Sequence, residues 1–210
     1  NLRKAMSYIF AIHIPIVGLS LLPVLLKWPL VLFPVHIVFL ELIIDPACTL
    51  VFEAEREEAD VMRRPPRNPK QGIFGKKTLG LSLLQGAVVL LITFAVYAVA
   101  YYRGVEESSA RAMTYTTLII ANLGLILSNS SWSGTIMTTL RKKNVALWWL
   151  SGAAIFFLCL ILGVPFLRGL FAFGALTAVD LMVCIAAAVI SIAWFEIFKL
   201  IKAYLSTRTA

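Results

Sequence analysis

The sequence has few charged residues and no paired cysteines, and both shortages narrow its class. Charged residues make up 14% of the 210 residues, whereas 60% are hydrophobic. The three cysteines, Cys48, Cys159 and Cys184, stand singly in apolar stretches without C-x-x-C spacing. Because paired spacings mark zinc sites and the disulfide frameworks of small domains, neither feature is indicated.

The chain also lacks a soluble basic domain, although its formal net charge is +8. Its lysines and arginines lie in short segments between apolar runs, which is typical of membrane topology signals. We therefore expect no nucleic-acid partner. A cleavable signal peptide is not indicated, because the first apolar run is long and has no small-residue cleavage site. The start at Asn1, without Met, indicates a fragment of a longer chain.

Six apolar runs approach or exceed the roughly 20 residues that cross the hydrocarbon core of a bilayer. They predict an all-α, polytopic membrane protein with six transmembrane helices, at about 5–26, 29–52, 78–101, 112–130, 146–164 and 179–201. Only a few residues around Trp28 and Pro29 separate the first two runs, so we expect an antiparallel helical hairpin there. No internal repeat is visible, whereas many secondary transporters consist of two inverted halves.

The positions of the basic residues predict the orientation of the chain in the lipid bilayer. Most of them fall in one set of segments: Arg3, Lys4, Arg63, Arg64, Arg67, Lys70, Lys76, Lys77, Arg141, Lys142 and Lys143. The opposite loops contain only Lys27, Arg103, Arg111 and Arg168. Because basic residues accumulate on the cytoplasmic side and six is an even number, both termini should be cytoplasmic.

Glu41 and Asp45 lie four residues apart inside the second apolar run. An ionised side chain at the bilayer centre costs roughly 2.5–3.5 kcal/mol on insertion scales, so such residues usually serve an ion pathway or a proton relay. A helix would place both on one face, about 6 Å apart along its axis. The alternative is that both acids only pair with polar groups of neighbouring helices.

Pro46 follows the second acid directly and makes a cation site chemically reasonable. Proline has no N–H, so the carbonyl of Leu42 should lose its usual helical partner. Two carboxylates beside a free carbonyl form an all-oxygen donor set, which suits calcium and similar hard ions.

Three polar residues in other apolar positions could complete such a site or could serve packing alone. His13, close to Pro15 in the first run, could reach the carboxylates across the hairpin, either as a ligand or as a hydrogen-bonded packing residue. Asn122 could bind an ion or could bond to another helix. His36 lies about 140° around the helix from Glu41, so we expect it to pack.

Two polar segments near the membrane surface complete the pattern. The connection over residues 53–77 turns from acidic to basic and contains RRPPRNPK, which could attract anionic lipid. It has no EF-hand spacing. In the last apolar run, Glu196 and Lys199 are three residues apart and predict an ion pair at the membrane interface.

These stretches together resemble a known family, the P-type cation-transporting ATPases. NLRKAMSYIF and FPVHIVFLELIID are similar to the fifth and sixth membrane helices of that family, and DVMRRPPRNPKQGIF to the cytoplasmic loop after them. AMTYTTLIIANL and WFEIFKLIKAYL resemble the eighth and tenth helices. The resemblance covers essentially the whole chain. It implies that residues 1–210 form a calcium-pump-like C-terminal transmembrane domain, with residues 53–77 as a cytoplasmic loop.

The resemblance carries over to individual positions, with several departures. Asp45 matches the ion-binding aspartate of the sixth helix in calcium pumps. The positions that differ from the calcium-pump ligands are His13 for asparagine, Ile16 for glutamate, Glu41 for asparagine, Ile44 for threonine and Asn122 for glutamate. The resemblance therefore implies at most one calcium-type site. Acids at both Glu41 and Asp45 are also similar to sodium/potassium and proton/potassium pumps.

The resemblance further implies ATP-driven alternating access. The phosphorylation motif Asp-Lys-Thr-Gly-Thr and the nucleotide domain are not in this sequence, so Mg²⁺ and ATP would bind to other parts of the parent pump. Those N-terminal and cytoplasmic parts would be its protein partners. The loop residues expected to contact them are Arg63, Arg64, Pro65, Pro66 and Arg67.

Several interpretations of the function stay open at this point. The transported cation is expected to be divalent, calcium or manganese, and the alternative within the family is a monovalent cation or a proton. Outside the family, the sequence could encode a freestanding six-span channel, a secondary transporter or a purely structural bundle.

Overall fold

The computed structural model describes residues 1–55, 75–131, 136–140 and 144–208, and within these ranges it contains helices and no strands. The helices are α1 (Leu2–Leu25), α2 (Pro34–Pro46), α3 (Lys76–Tyr102), α4 (Glu107–Ser130), α5 (Ile136–Leu140), α6 (Val145–Gly163), α7 (Pro165–Leu170) and α8 (Ala178–Arg208). A π-helical turn, Ala47–Val51, continues α2. Six helices are long and apolar enough to cross a membrane, which confirms the predicted six-span, all-α class.

Helix α4 forms the centre of the bundle. In its spanning segment 83% of the residues are buried, whereas in the other five candidate spans this share lies between 22% and 39%. Helices α1, α3 and α8 pack around it. Its buried hydroxyls are partly satisfied within the helix: Thr114 donates to the carbonyl of Ala110 and Thr117 to that of Met113. These bonds to the preceding turn let a helix with many polar residues remain in an apolar interior.

Helix α2 starts at Pro34, five residues later than predicted, and its connection to α1 is correspondingly longer. Proline is favoured in the first helical turn, and the residue before a proline avoids helical backbone angles. The connection keeps its polar backbone satisfied without a helix. The Tyr97 hydroxyl donates to the carbonyl of Pro29 at 2.8 Å, and Arg111 donates to that of Leu30 at 3.0 Å.

Helix α1 packs closely on α3 at a glycine. Pro15 lies inside α1, so the carbonyl of Ala11 has no N–H four residues ahead. Gly86 of α3 lies against this carbonyl, and a Cβ at that position would clash with the Ala11 oxygen and with Ile14. The carbonyl freed by Pro15 is therefore packed against α3.

The start of α1 and the start of the 53–77 connection lie at the same end of the bundle. Asn1 donates to the backbone carbonyls of Glu53 at 3.2 Å and Glu55 at 2.7 Å. The Glu55 carboxylate in turn accepts from the Asn144 amide, which caps the start of α6. This arrangement agrees with an even number of spans. Residues 56–74, which include the predicted contact residues Arg63, Arg64, Pro65, Pro66 and Arg67, lie outside the described residues.

At this same end, the predicted ion pair between Glu196 and Lys199 forms within a buried cluster of polar groups that we call the end network. Glu196 and Lys199 pair at 2.8 Å, but their side chains are only 15% and 7% exposed. Burial is possible because further partners satisfy both charges. The end network consists of Lys4, Ser128, Ser130, Ser131, Ile136, Glu196 and Lys199.

Arg111 also differs from its prediction as a loop residue, because it lies in the first turns of α4 and is 5% exposed. It donates to the carbonyls of Leu30 and Ala172 and to the Glu107 carboxylate, at 3.0, 2.8 and 2.7 Å. Its guanidinium lies 4.4 Å from the centre of the Phe33 ring. Arg111 therefore joins α4 to two connections, the one before α2 and the one before α8, at the end of the bundle opposite the end network.

Candidate cation site

Glu41 and Asp45 lie on a face of α2 that points out of the described bundle. The Glu41 side chain is 40% exposed, and Asp45 is exposed as a whole. The opposite face of the helix is fixed in the core by Ile43 and Ile44, which are 3% and 2% exposed. The helical spacing thus places both carboxylates on the outward side.

His13 of α1 reaches this face, as the hairpin predicts. Its Nε2 atom lies 3.9 Å from Oε1 of Glu41. Its Nδ1 atom lies 2.8 Å from the carbonyl oxygen of Ile9. A carbonyl can only accept, so Nδ1 carries the proton of this bond and Nε2 is the nitrogen that faces the carboxylate. Whether His13 binds an ion stays a prediction.

The backbone beside Asp45 is irregular, as Pro46 predicts. Helix α2 ends at the proline, and the chain continues as the π-helical turn. The N–H of Ala47 donates to the carbonyls of Ile43 and Ile44 and not to that of Leu42. The Thr49 hydroxyl donates to the backbone carbonyl of Asp45 at 2.9 Å. The Leu42 carbonyl therefore remains a candidate ligand.

The two carboxylates have few polar partners within the described residues. There, Glu41 has His13 as its polar neighbour, and the Asp45 carboxylate accepts no hydrogen bond. In the same ranges, no group of three or more histidine, cysteine, aspartate or glutamate side chains is placed to hold a metal ion. His13, Glu41 and Asp45 are therefore an incomplete, outward-facing set of ligands, which we call the carboxylate face.

Asn122 is engaged with another helix. Its Oδ1 accepts a 2.6 Å hydrogen bond from the hydroxyl of Tyr8 on α1, and the side chain is fully buried. Its Nδ2 has no hydrogen-bond partner among the described atoms. Of the two alternatives for Asn122, interhelical bonding is the one observed. The sequence did not predict the role of Tyr8 as the partner of Asn122. A polar hydroxyl within an apolar run is the one feature that could have indicated it.

His36 packs, as predicted. It is fully buried, its Nδ1 accepts from the backbone N–H of Phe33 at 2.9 Å, and its Nε2 donates to the carbonyl of Phe171 at 2.8 Å. Its ring stacks on that of Phe173 with 4.9 Å between centres. Both ring nitrogens are therefore used by the protein itself.

A direct comparison with known proteins decides the family. Residues 29–201 match the family described as "Cation transporting ATPase, C-terminus". The chain belongs to this family. That region contains Glu41, Asp45 and five of the six candidate spans.

Three relatives illustrate the similarity. A Calcium-transporting ATPase of Bacillus subtilis is 30% identical over 124 residues, which is 59% of this chain and 14% of that protein. Calcium-transporting ATPase 1 of Lactococcus lactis is 26% identical over 96% of this chain and 23% of its own length. Sodium/potassium-transporting ATPase subunit alpha-4 of the rat is 34% identical over 47% of this chain and 10% of its own length. The chain spans less than a quarter of each of these proteins.

Two departures from the calcium-pump pattern are buried in this member of the family. Ile16 is 6% exposed on α1 and Ile44 is 2% exposed on α2, and both belong to the hydrophobic core. Their apolar side chains cannot ligate a cation. The candidate donors on α1 and α2 therefore stay those predicted from the sequence: His13, Glu41, Asp45 and the Leu42 carbonyl.

Proposed function

We propose that residues 1–210 are the C-terminal membrane domain of an ATP-driven cation pump, with Glu41 and Asp45 as ligands of the transported cation. The supporting observation is that few polar groups surround these two carboxylates. Acidic side chains within membrane spans are usually paired with other polar groups, yet these two have few partners among the described residues. A bound cation would supply the missing counter-charge.

The proposed cation is divalent, calcium or manganese. Carboxylate and carbonyl oxygens are the donors that both ions take in proteins. The relatives from Bacillus subtilis and Lactococcus lactis are named calcium-transporting, which supports the same choice. His13 and the Leu42 carbonyl are supporting ligands, and Asn122 is a weaker candidate because Tyr8 already occupies its carbonyl oxygen.

The rest of the pump would complete both the site and the reaction. The carboxylate face points out of the described bundle, so a membrane helix from another part of the pump would supply further ligands there. Mg²⁺ and ATP would act in the cytoplasmic domains. In this proposal the termini and the 53–77 connection are cytoplasmic, and Arg63, Arg64 and Arg67 contact those domains.

The test uses the intact pump and two conservative substitutions, Glu41→Gln and Asp45→Asn. ATP hydrolysis is measured against Ca²⁺, Mn²⁺, Mg²⁺, Na⁺, K⁺ and pH. Loss of a carboxylate ligand should lower the apparent affinity for the stimulating ion by about 100-fold or more, because loss of an outer-shell partner alone costs about 10–100-fold. Glu106→Gln, a change of an exposed carboxylate just before α4, is the control and should leave that affinity unchanged.

Each alternative predicts a different result. If both α2 variants retain normal ion-stimulated hydrolysis, the carboxylates are structural. If only monovalent ions or pH stimulate hydrolysis, the transported ion is a monovalent cation or a proton and the proposal of a divalent cation is wrong.

A further inference from the structure

We propose that α3 and α8 bind a phosphatidylethanolamine molecule in a groove between them, at the end of the bundle opposite the end network. The lipid phosphate binds Arg103, the ammonium group binds Asp180, and one acyl chain lies along the groove. This inference goes beyond the proposed function, because it concerns a lipid ligand and depends on neither the transported ion nor the carboxylate face.

The groove has a volume of about 420 Å³, and apolar side chains form most of its lining. On one side the lining runs from Ile92 in α3 to Arg103 directly after it, and on the other from Val179 to Ile190 in α8. Met113 of α4, which is buried, also lines the groove. Methionine adapts its shape to irregular partners, so this surface suits a flexible hydrocarbon chain.

The length of the groove matches one leaflet of a bilayer. From Ile92 to Arg103 it extends about 16 Å, at the rise of 1.5 Å per helical residue. Half of the hydrocarbon core is about 15 Å thick. Beyond Ile92 the same two helices line a small polar cavity of about 60 Å³ that includes Gln85 and Lys199. The groove therefore ends near mid-membrane, as an acyl chain does, whereas a transmembrane helix would need a surface along the whole span.

Two residues of opposite charge line the outer end of the groove. Arg103 follows the last turn of α3, and Asp180 lies in the first turn of α8. Within the described part of the chain no ion pair joins them, and Arg103 has no other carboxylate partner. Asp180 accepts from the backbone N–H and the hydroxyl of Thr177 through Oδ2, at 2.8 Å each. Its Oδ1 therefore remains available to another donor.

A phosphatidylethanolamine headgroup complements these two charges. Its phosphate oxygens match the paired N–H donors of a guanidinium group, and its primary ammonium group donates hydrogen bonds to a carboxylate. Phosphatidylglycerol has the phosphate without a cation, so it leaves Asp180 without a counter-charge. Phosphatidylcholine has a quaternary ammonium group, which has no N–H to donate. The charges at the groove thus favour phosphatidylethanolamine among the common phospholipids.

The experiment is native mass spectrometry of the intact pump, delipidated in detergent and titrated with each of these three phospholipids at matched acyl chains. The wild type should bind phosphatidylethanolamine most tightly. Arg103→Gln should weaken this binding about tenfold, because a hydrogen bond to a charged group contributes a free energy of that order. Asp180→Asn should remove the preference over phosphatidylglycerol. Arg168→Gln is the matched control and should change nothing, since Arg168 lies in α7 and does not line the groove.

Two further measurements test whether the lipid lies in the groove. Ala95 is an exposed residue of α3 that lines it, so Ala95→Phe fills the groove without a change in the core and should abolish the preferential binding. Phosphatidylethanolamine with a photoreactive diazirine at the end of one acyl chain should crosslink the wild type near Ile92 and Ile190, where the groove ends.

Four results would overturn the proposal. Equal affinities in Arg103→Gln and Arg168→Gln would exclude Arg103 as the phosphate ligand. Tighter binding of phosphatidylglycerol than of phosphatidylethanolamine would exclude the zwitterionic headgroup. Crosslinks spread over the surface of the bundle would show ordinary boundary lipid. A membrane protein that co-purifies and crosslinks to α3 and α8 would assign the groove to a protein partner. The wild-type titration and crosslinks decide even where a variant does not fold.

Discussion

Two glutamates in spanning helices have opposite surroundings. Glu196 of α8 accepts from the Ser128 hydroxyl at 2.5 Å, from the backbone N–H of Ile136 at 2.8 Å and from Lys199 at 2.8 Å. Glu41 of α2 has one ion-pair partner within the described residues, His13 at 3.9 Å. The first carboxylate is saturated by the fold, and the second is available to something else.

The difference shows how this bundle separates structural from functional charge. Buried charges are tolerated when hydrogen bonds and a counter-charge replace their hydration. The end network meets that condition and joins α1, α4 and α8. The carboxylate face does not meet it, so its charges add little to the stability of the described bundle. Substitutions in the two regions should therefore affect different properties.

The largest effect on stability is expected for Glu196→Gln. This change removes the negative charge that pairs with the buried Lys199, which should cost about 3 kcal/mol of unfolding free energy. The free energy is measured by denaturant titration of the intact pump. Glu41→Gln is the matched change, and it should leave stability unaltered or slightly raised. Equal destabilisation by the two substitutions would show that Glu41 stabilises the fold as much as Glu196 does, which contradicts the proposed difference between them.

A second effect is expected at the other end of the bundle with Arg111→Lys. Lysine keeps the charge but cannot present the planar fork that reaches Leu30, Ala172 and Glu107 together. The loss should be about 2 kcal/mol, because hydrogen bonds to charged groups are replaced incompletely.

Amide hydrogen exchange of residues 30–33 provides the local measurement for Arg111→Lys. Faster exchange there, without a change in ion affinity, would show that Arg111, like Glu196, has a structural role. Slow exchange as in the wild type would show that Arg111 is dispensable for the connection.

The smallest effect is expected for Ser128→Ala, which removes one hydrogen bond to Glu196 and leaves the ion pair in place. A single intramolecular hydrogen bond contributes about 1 kcal/mol. Ser108→Ala is the control, because Ser108 donates to Glu106 at an exposed site and should matter little. A thermal scan of both variants compares them directly, and a larger shift for Ser108→Ala would contradict the importance of burial.

The sequence was sufficient for features that depend on local pattern. Apolar runs predicted six spans, and helical spacing predicted that Glu41 and Asp45 share a face and that His36 faces elsewhere. Pro46 predicted the break in α2. Each of these depends on residues within a few positions of one another.

Features that depend on distant partners could not be predicted in the same way. Arg111 looked like a loop residue because its acceptors, Leu30 and Ala172, are 81 and 61 positions away. The ion pair of Glu196 and Lys199 was predicted but its burial was not, because Ser128, which bonds to both, is 68 or 71 positions away. The non-helical connection before α2 likewise accepts hydrogen bonds from the distant residues Tyr97 and Arg111.

The π-helical turn after Pro46 has a mechanical consequence. A π turn contains about one residue more than an α turn. The turn Ala47–Val51 therefore contains one extra residue between Asp45 and the 53–77 connection. Conversion of this turn to α-helix would advance the chain by roughly 1.5 Å and rotate the residues beyond Val51 by about 100°. Phe52, whose ring centre lies 5.4 Å from that of Tyr8, would have to leave its place for this to happen. The π turn thus provides one residue of extra length after α2, and the contact between Phe52 and Tyr8 opposes its conversion to α-helix.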